Sequence, residues 1–187
     1  MIKYDLLVIG FGKAGKTLAA TLGNEGKKVA VVEESSEMYG GTCINIGCIP
    51  TKTLIVAADN KKDFKEAKAT RDTVVSKLNA KNFAMLDNNP NIDVYTASAK
   101  FVSNKVVEIL IDGETKQLEG DVVIINTGAK NNVLPIPGLT TSKNVYDSTQ
   151  FQKLESTPKT LGIIGGGNIG IEFANLYARF GVDVTVI

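Results

Sequence analysis

The chain holds two cysteines, Cys43 and Cys48, within one stretch: Gly40-Gly41-Thr42-Cys43-Ile44-Asn45-Ile46-Gly47-Cys48-Ile49-Pro50-Thr51-Lys52. Pro50 suits the first turn of a helix, where a missing N–H costs nothing. That puts Cys48 at the helix N-terminus, where the dipole favours a thiolate. Lys52, one turn further on, brings a positive charge to the same place. Two close thiols, one of them activated, are what reversible disulfide exchange requires. Other readings of the pair are two buried cysteines or a structural disulfide. A zinc site needs about four ligands, and the chain offers two cysteines and no histidine.

The elements that must position this pair are glycine-rich on both sides. Residues 3–9 (KYDLLVI) form a short apolar run, expected as a buried parallel strand. It meets Gly10-Phe11-Gly12-Lys13-Ala14-Gly15, then a helical stretch over 16–23, then a second strand over 29–32 and Glu33. Strand, G-x-G-x-x-G, helix, strand and a later acid make a dinucleotide-binding unit. Gly10, Gly12 and Gly15 allow a tight turn and a close approach of the pyrophosphate. Glu33 is placed to accept hydrogen bonds from the adenosine ribose. A second unit opens at Leu161: a strand over 161–164, Gly165-Gly166-Gly167-Asn168-Ile169-Gly170, a helix to Phe180 capped by Gly181, and a strand over 182–187.

Between the two units, residues 51–86 carry Leu54, Ala57, Ala58, Phe64, Ala67, Val74, Leu78 and Met85 at three- and four-residue spacing. A helix is expected there, interrupted at Lys61-Lys62-Asp63 and ended by Asn88-Asn89-Pro90-Asn91. Residues 92–118 read as a β-meander with strands at Val94-Tyr95, Phe101-Val102, 106–111 and 116–118. Its turns fall at Ser103-Asn104 and Asp112-Gly113. A further buried strand over 122–126 leads into Thr127-Gly128. The expected fold class is α/β: a Rossmann-like domain over 1–150 with a helical insertion and a β-meander, then the start of a second Rossmann-like domain over 151–187.

Composition narrows the function. Of the 187 residues, 43% are apolar and 22% charged, with net charge +1, which points away from disorder and from nucleic-acid binding. No apolar run reaches membrane-spanning length, and residues 2–10 are too short for a signal peptide. Two cysteines without a secretion signal fit a cytoplasmic protein, where a disulfide is usually catalytic.

The string GGTCINIGCIPTKTL resembles the redox-disulfide signature of the class I pyridine nucleotide–disulfide oxidoreductases, which include dihydrolipoamide dehydrogenase, glutathione reductase and mercuric reductase. With GFGKAGKTLA upstream, it is most similar to the reactive-chlorine-resistance branch, related to hypothiocyanite and copper(II) reductases. The resemblance implies FAD in the first unit, held by Gly10, Gly12, Gly15, Glu33, Gly41, Thr42, Lys52, the backbone near Ala99, Thr127 and Gly128. It implies NAD(P)H in the second unit, held by Gly165, Gly167 and Gly170. It assigns Cys48 to the flavin side, Cys43 to attack on the substrate, and Glu172 to an ion pair with Lys52 beneath the flavin. No metal site is implied.

By the same resemblance, electrons would pass from NAD(P)H through FAD to a Cys43–Cys48 disulfide and on to a small oxidised acceptor in a homodimeric enzyme. Hypothiocyanite, another reactive oxidant or a metal ion are favoured acceptors. Lipoamide or mercuric reductase activity, or a non-catalytic redox-sensing module, are the alternatives. Two positions depart from the family pattern: Asn126 replaces its usual alanine, and Asn168 its frequent aromatic gate. The step from Gly10 to Glu33, repeated from Gly165, passes beyond Ile187, so the residue separating NAD from NADP is not reached. The family's acid–base histidine also has no counterpart. The chain is therefore expected to be the N-terminal part of a longer enzyme.

Overall fold

The computed structural model describes residues 1–187. The elements begin with β1 (Ile2–Ile9), α1 (Lys13–Asn24), β2 (Val29–Glu33), α2 (Thr42–Asn45), α3 (Cys48–Asp59) and α4 (Phe64–Asp87). They continue with β3 (Ile92–Thr96), β4 (Ala99–Ser103), β5 (Val106–Ile111), β6 (Glu114–Ile125), α5 (Ser148–Phe151), β7 (Thr160–Ile163), α6 (Asn168–Arg179) and β8 (Asp183–Val186). Two compact units result, one from Met1–Asn45 with Ser76–Ala129, the other from Ile46–Val75 with Lys130–Ile187. No helix is long and apolar enough to cross a membrane.

The first unit is built on a six-stranded sheet in the order β3-β2-β1-β6-β5-β4. β2 is buried along its whole length, as a strand covered on both faces must be. Successive side chains therefore feed two cores. Leu6, Val8, Val29 and Val31 pack with Ala19 of α1 and Leu86 of α4. Leu7, Ile9, Ala30 and Val32 pack with Val107, Ile109 and Leu118.

Two expectations about the β-rich segment are corrected. The strand at Val94-Tyr95 does not join a meander: β3 pairs parallel with β2, Val29 opposite Ile92 and Val32 opposite Tyr95. A short alternating run fixes a strand but not its partner. Residues 116–118 and 122–126 are not separate strands either. β6 is continuous, pairing antiparallel with β5 through Glu114–Glu119 and parallel with β1 from Leu118 to Ile125. The hairpin turn at Asp112-Gly113 holds both residues at positive φ, 52° and 81°, the geometry of a two-residue type I′ turn.

The second unit contains α3, the first half of α4, α5 and α6, with the parallel pair β7–β8. Its core joins Leu54, Ala57 and Ala67 to Phe151, Phe173, Leu176, Tyr177 and Val182. The helix break at Lys61-Lys62-Asp63 is present. Lys61 turns left-handed at φ 58°, and Asp63 Oδ1 accepts from the Glu66 N–H at 2.7 Å to start α4. α6 ends in a Schellman motif: Gly181 N–H reaches Ala178 O and Val182 N–H reaches Tyr177 O, with Val182 buried beside Tyr177.

Candidate functional site

In the first unit, the chain leaves β1 through Gly10, whose φ of +100° excludes most side chains. A Cβ there would also collide with the Asn126 carbonyl. The next N–H, that of buried Phe11, donates to Glu33 Oε2 at 2.8 Å. Glu33 Oε1 accepts from Ser35 N–H at 3.2 Å. The carboxylate at the end of β2 thus ties the glycine loop to the turn after β2 through one backbone donor from each, with 9% of the residue exposed. α1 begins after Gly12, which offers no side-chain cap. Its first N–H groups have no intrahelical acceptor, the arrangement that receives a phosphate. Gly15 is buried against Val8 and Asn126. Lys16, one turn into α1, donates to Asn82 Oδ1. Burial, and then the like charge of Lys13, hold Lys16 below the usual lysine range.

Gly40 and Gly41 form a second turn at φ +95° and +79°. A Cβ on Gly41 would lie 2.7 Å from Gly12 Cα, so two glycine loops meet backbone to backbone. Tyr39 flanks them, its ring 5.1 Å from Phe11 and 4.6 Å from Phe83. α2 then presents Thr42 and Cys43, both exposed. β6 ends beside β1, where Asn126 N–H donates to Ile9 O at 2.7 Å, and Thr127 and Gly128 follow exposed. Ala99 opens β4 opposite Ile109, two residues after Ala97, whose N–H reaches Glu33 O at 2.8 Å.

In the second unit, Cys48 is the first residue of α3, and Gly47 before it gives no side-chain cap. Its thiol is free and exposed. Pro50 is buried in the first turn, and Thr51 Oγ1 donates back to Gly47 O at 2.8 Å. Lys52 Nζ forms an ion pair with Glu172 Oε1 on α6. The second glycine loop has Gly165 at φ +107°, its N–H on Ile187 O at 2.8 Å. Gly170 faces the Gly165 carbonyl with no room for a Cβ, whereas nothing lies near the Cβ positions of Gly166 and Gly167. Gly167 starts α6 without a side-chain cap, and Asn168 is the first helical residue.

The structure thus gathers Gly10, Gly12, Gly15, Glu33 and Gly41 in one unit, and Lys52 with Glu172 in the other. Sequence reasoning missed the α4 side chains behind the Gly40–Cys43 turn: Asn79, Asn82 and Phe83. Their i, i+3, i+4 spacing was the available signal, since it puts two amides and an aromatic ring on one helical face.

Comparison with known proteins agrees with this arrangement. A family model described as pyridine nucleotide-disulphide oxidoreductase matches residues 4–187. The chain is 50% identical over 187 residues to the probable pyridine nucleotide-disulfide oxidoreductase RclA of Escherichia coli, covering 100% of this chain and 42% of that protein. It is 34% identical over 207 residues to a dihydrolipoyl dehydrogenase of Mycoplasma pneumoniae, covering 100% of this chain and 44% of the relative. Among solved structures, the Cu(II) complex of the HOCl-induced flavoprotein disulfide reductase RclA from Escherichia coli superposes with a TM-score of 0.96 at 50% identity, over 100% of this chain and 42% of that one. The chain therefore spans less than half the length of these relatives. The two glycine loops, the cysteine stretch between them and this likeness lead to one conclusion: the chain belongs to the pyridine nucleotide-disulphide oxidoreductase family.

Proposed function

We propose that this chain is the dinucleotide- and thiol-bearing part of an FAD-dependent NAD(P)H oxidoreductase of the disulfide reductase type. The observation that carries the reading is the Cys43/Cys48 stretch lying between two glycine loops that each open a helix without a side-chain cap. The first unit fits FAD: the uncapped start of α1 offers N–H donors to phosphate, and glycine at positions 12 and 41 keeps side chains off the facing loops. Gly10, Gly12, Gly15, Glu33, Gly41, Thr42, the backbone near Ala99, Thr127 and Gly128 would hold it. Gly165, Gly167 and Gly170 would hold the nicotinamide dinucleotide. Residues 1–150 are assigned to the FAD-binding domain and 151–187 to the opening of the NAD(P)-binding domain.

Bound FAD would supply the redox chemistry, relaying an electron pair from NAD(P)H to the Cys43–Cys48 disulfide. The protein's own contribution is to charge and geometry. Cys48 is the first residue of α3, behind a glycine that gives no side-chain cap. Lys52, anchored by Glu172, supplies positive charge on the same helix. Exposed Cys43 attacks the oxidised acceptor to give a mixed intermediate, and Cys48 then attacks the Cys43 sulfur, releasing the reduced acceptor and closing the Cys43–Cys48 disulfide. The high identity to a reductase named for its induction by HOCl and solved as a Cu(II) complex favours a small reactive oxidant or a metal ion such as Cu(II) as acceptor, over lipoamide or mercuric ion. A cytoplasmic homodimer is the assembly this reading assigns.

Cys43→Ser tests the assignment. It should abolish acceptor reduction while leaving reduction of the flavin by NAD(P)H intact. Surviving turnover would overturn the role of Cys43. A protein that binds flavin and forms the thiol pair, yet consumes no NAD(P)H with any acceptor, would instead be a redox-sensing module.

A further inference from the structure

We propose that Asn79 is a positioning residue for the Cys43 thiol, clamping both ends of the loop that carries it. Its Nδ2 donates to Ser36 O at 3.1 Å and to Asn45 Oδ1 at 3.0 Å. Asn45, the last residue of α2, spends its own Nδ2 on Tyr39 O at 3.0 Å and Gly41 O at 2.9 Å. A single amide nitrogen on α4 therefore holds the start and the end of the segment 36–45, and Asn45 relays the clamp to the glycine turn between them. An amide NH2 has two donors, and both are used here on acceptors.

The neighbouring positions of α4 serve the same loop. Asn82, 8% exposed, lies where a Cβ on Gly40 would be 3.1 Å from its side chain. Phe83 packs on Tyr39 at 4.6 Å. The reason a clamp is needed is local: α2 is four residues long, and one helical turn has no stability of its own. The direction of the Cys43 side chain, exposed on that turn, is set by what grips the turn from outside. The inference deepens the reading of Cys43 as the attacking thiol and rests on it.

The test measures thiol alkylation by iodoacetamide, mapped by peptide mass spectrometry, with Cys48 in the same molecule as the internal reference. Asn79→Asp keeps the shape but turns an acceptor toward Ser36 O and Asn45 Oδ1, and Asn79→Ala removes the grip. Both should change the Cys43 to Cys48 rate ratio by about threefold or more, a fraction of one hydrogen bond's worth in rate. In the turning-over enzyme, kcat for the acceptor should fall with kcat/KM for NAD(P)H unchanged. An unaltered ratio in both folded variants would overturn the inference, as would loss of the fold in both, which would make Asn79 a purely structural residue. The alkylation ratio needs neither flavin nor turnover, so failure of the redox reading would be seen separately, as absent turnover in the unsubstituted protein.

Discussion

Lys52 and Glu172, 120 residues apart in sequence, form an ion pair between α3 and α6. The lysine side chain is 63% exposed and the glutamate 30%. An ion pair this open contributes only about 0–1 kcal/mol to stability. Lys52→Met and Glu172→Gln should each leave the melting temperature nearly unchanged. Each should lower NAD(P)H-driven turnover by about tenfold or more, equivalent to about 1.4 kcal/mol of barrier. Unchanged turnover in both variants would reduce the pair to a surface contact.

Gly12 and Asn126 are coupled by space alone. Gly12 has an ordinary extended backbone, φ −65° and ψ 163°, and a Cβ there would meet Asn126 side-chain atoms, the nearest at 2.7 Å. Gly12→Ala should destabilise by about 1 kcal/mol, the low end for overpacking, since the nearest atom is the end of a side chain. Combining it with Asn126→Ala should recover most of that loss. Thermal unfolding of the two single variants and the double variant completes the cycle, and strictly additive costs would refute the coupling.

Gly41 and Gly113 share a positive φ, +79° and +81°, but not their surroundings. Nothing lies within 4 Å of a Cβ on Gly113, so Gly113→Ala should cost about 1 kcal/mol, from the backbone alone. Gly41→Ala adds the collision with Gly12 Cα and should cost about 1–3 kcal/mol more. Equal shifts in melting temperature would mean that the two loops part easily.

Tyr177 is 1% exposed and its hydroxyl has no hydrogen-bond partner. Burial pushes its pKa up from 10.0 to about 12, with Arg71 opposing in part. The folded state therefore keeps the proton longer than the unfolded chain. The linked stability is full below pH 10 and is lost as pH rises from 10 to about 12, by up to about 1.4 kcal/mol per pH unit. Tyr177→Phe should be neutral or stabilising at pH 7 and should flatten this alkaline loss, as followed by denaturant unfolding at several pH values.

Much of the frame was legible in the sequence because it is local. Gly10 and Gly165 announce backbone angles that other residues avoid. Asp112-Gly113 specifies its hairpin turn, and Pro50 marks the first turn of α3. The resemblance carried by the cysteine stretch added the Lys52–Glu172 pair, which no spacing rule would have supplied.

What the sequence by itself determined, then, was the order of the main strands, glycine loops and long helices, and which residue types stand between them, because these follow from periodicity, turn chemistry and residue type. The tertiary structure alone decided the partners. It set β3 beside β2 and ran β6 through as one strand. It packed residues 46–75 with residues 130–187, gave the Glu33 carboxylate two backbone donors, and brought Asn79 to Asn45. Each of these depends on which surfaces bury one another and which donors reach which acceptors across tens of residues, and a local pattern carries no record of the distant group that completes it.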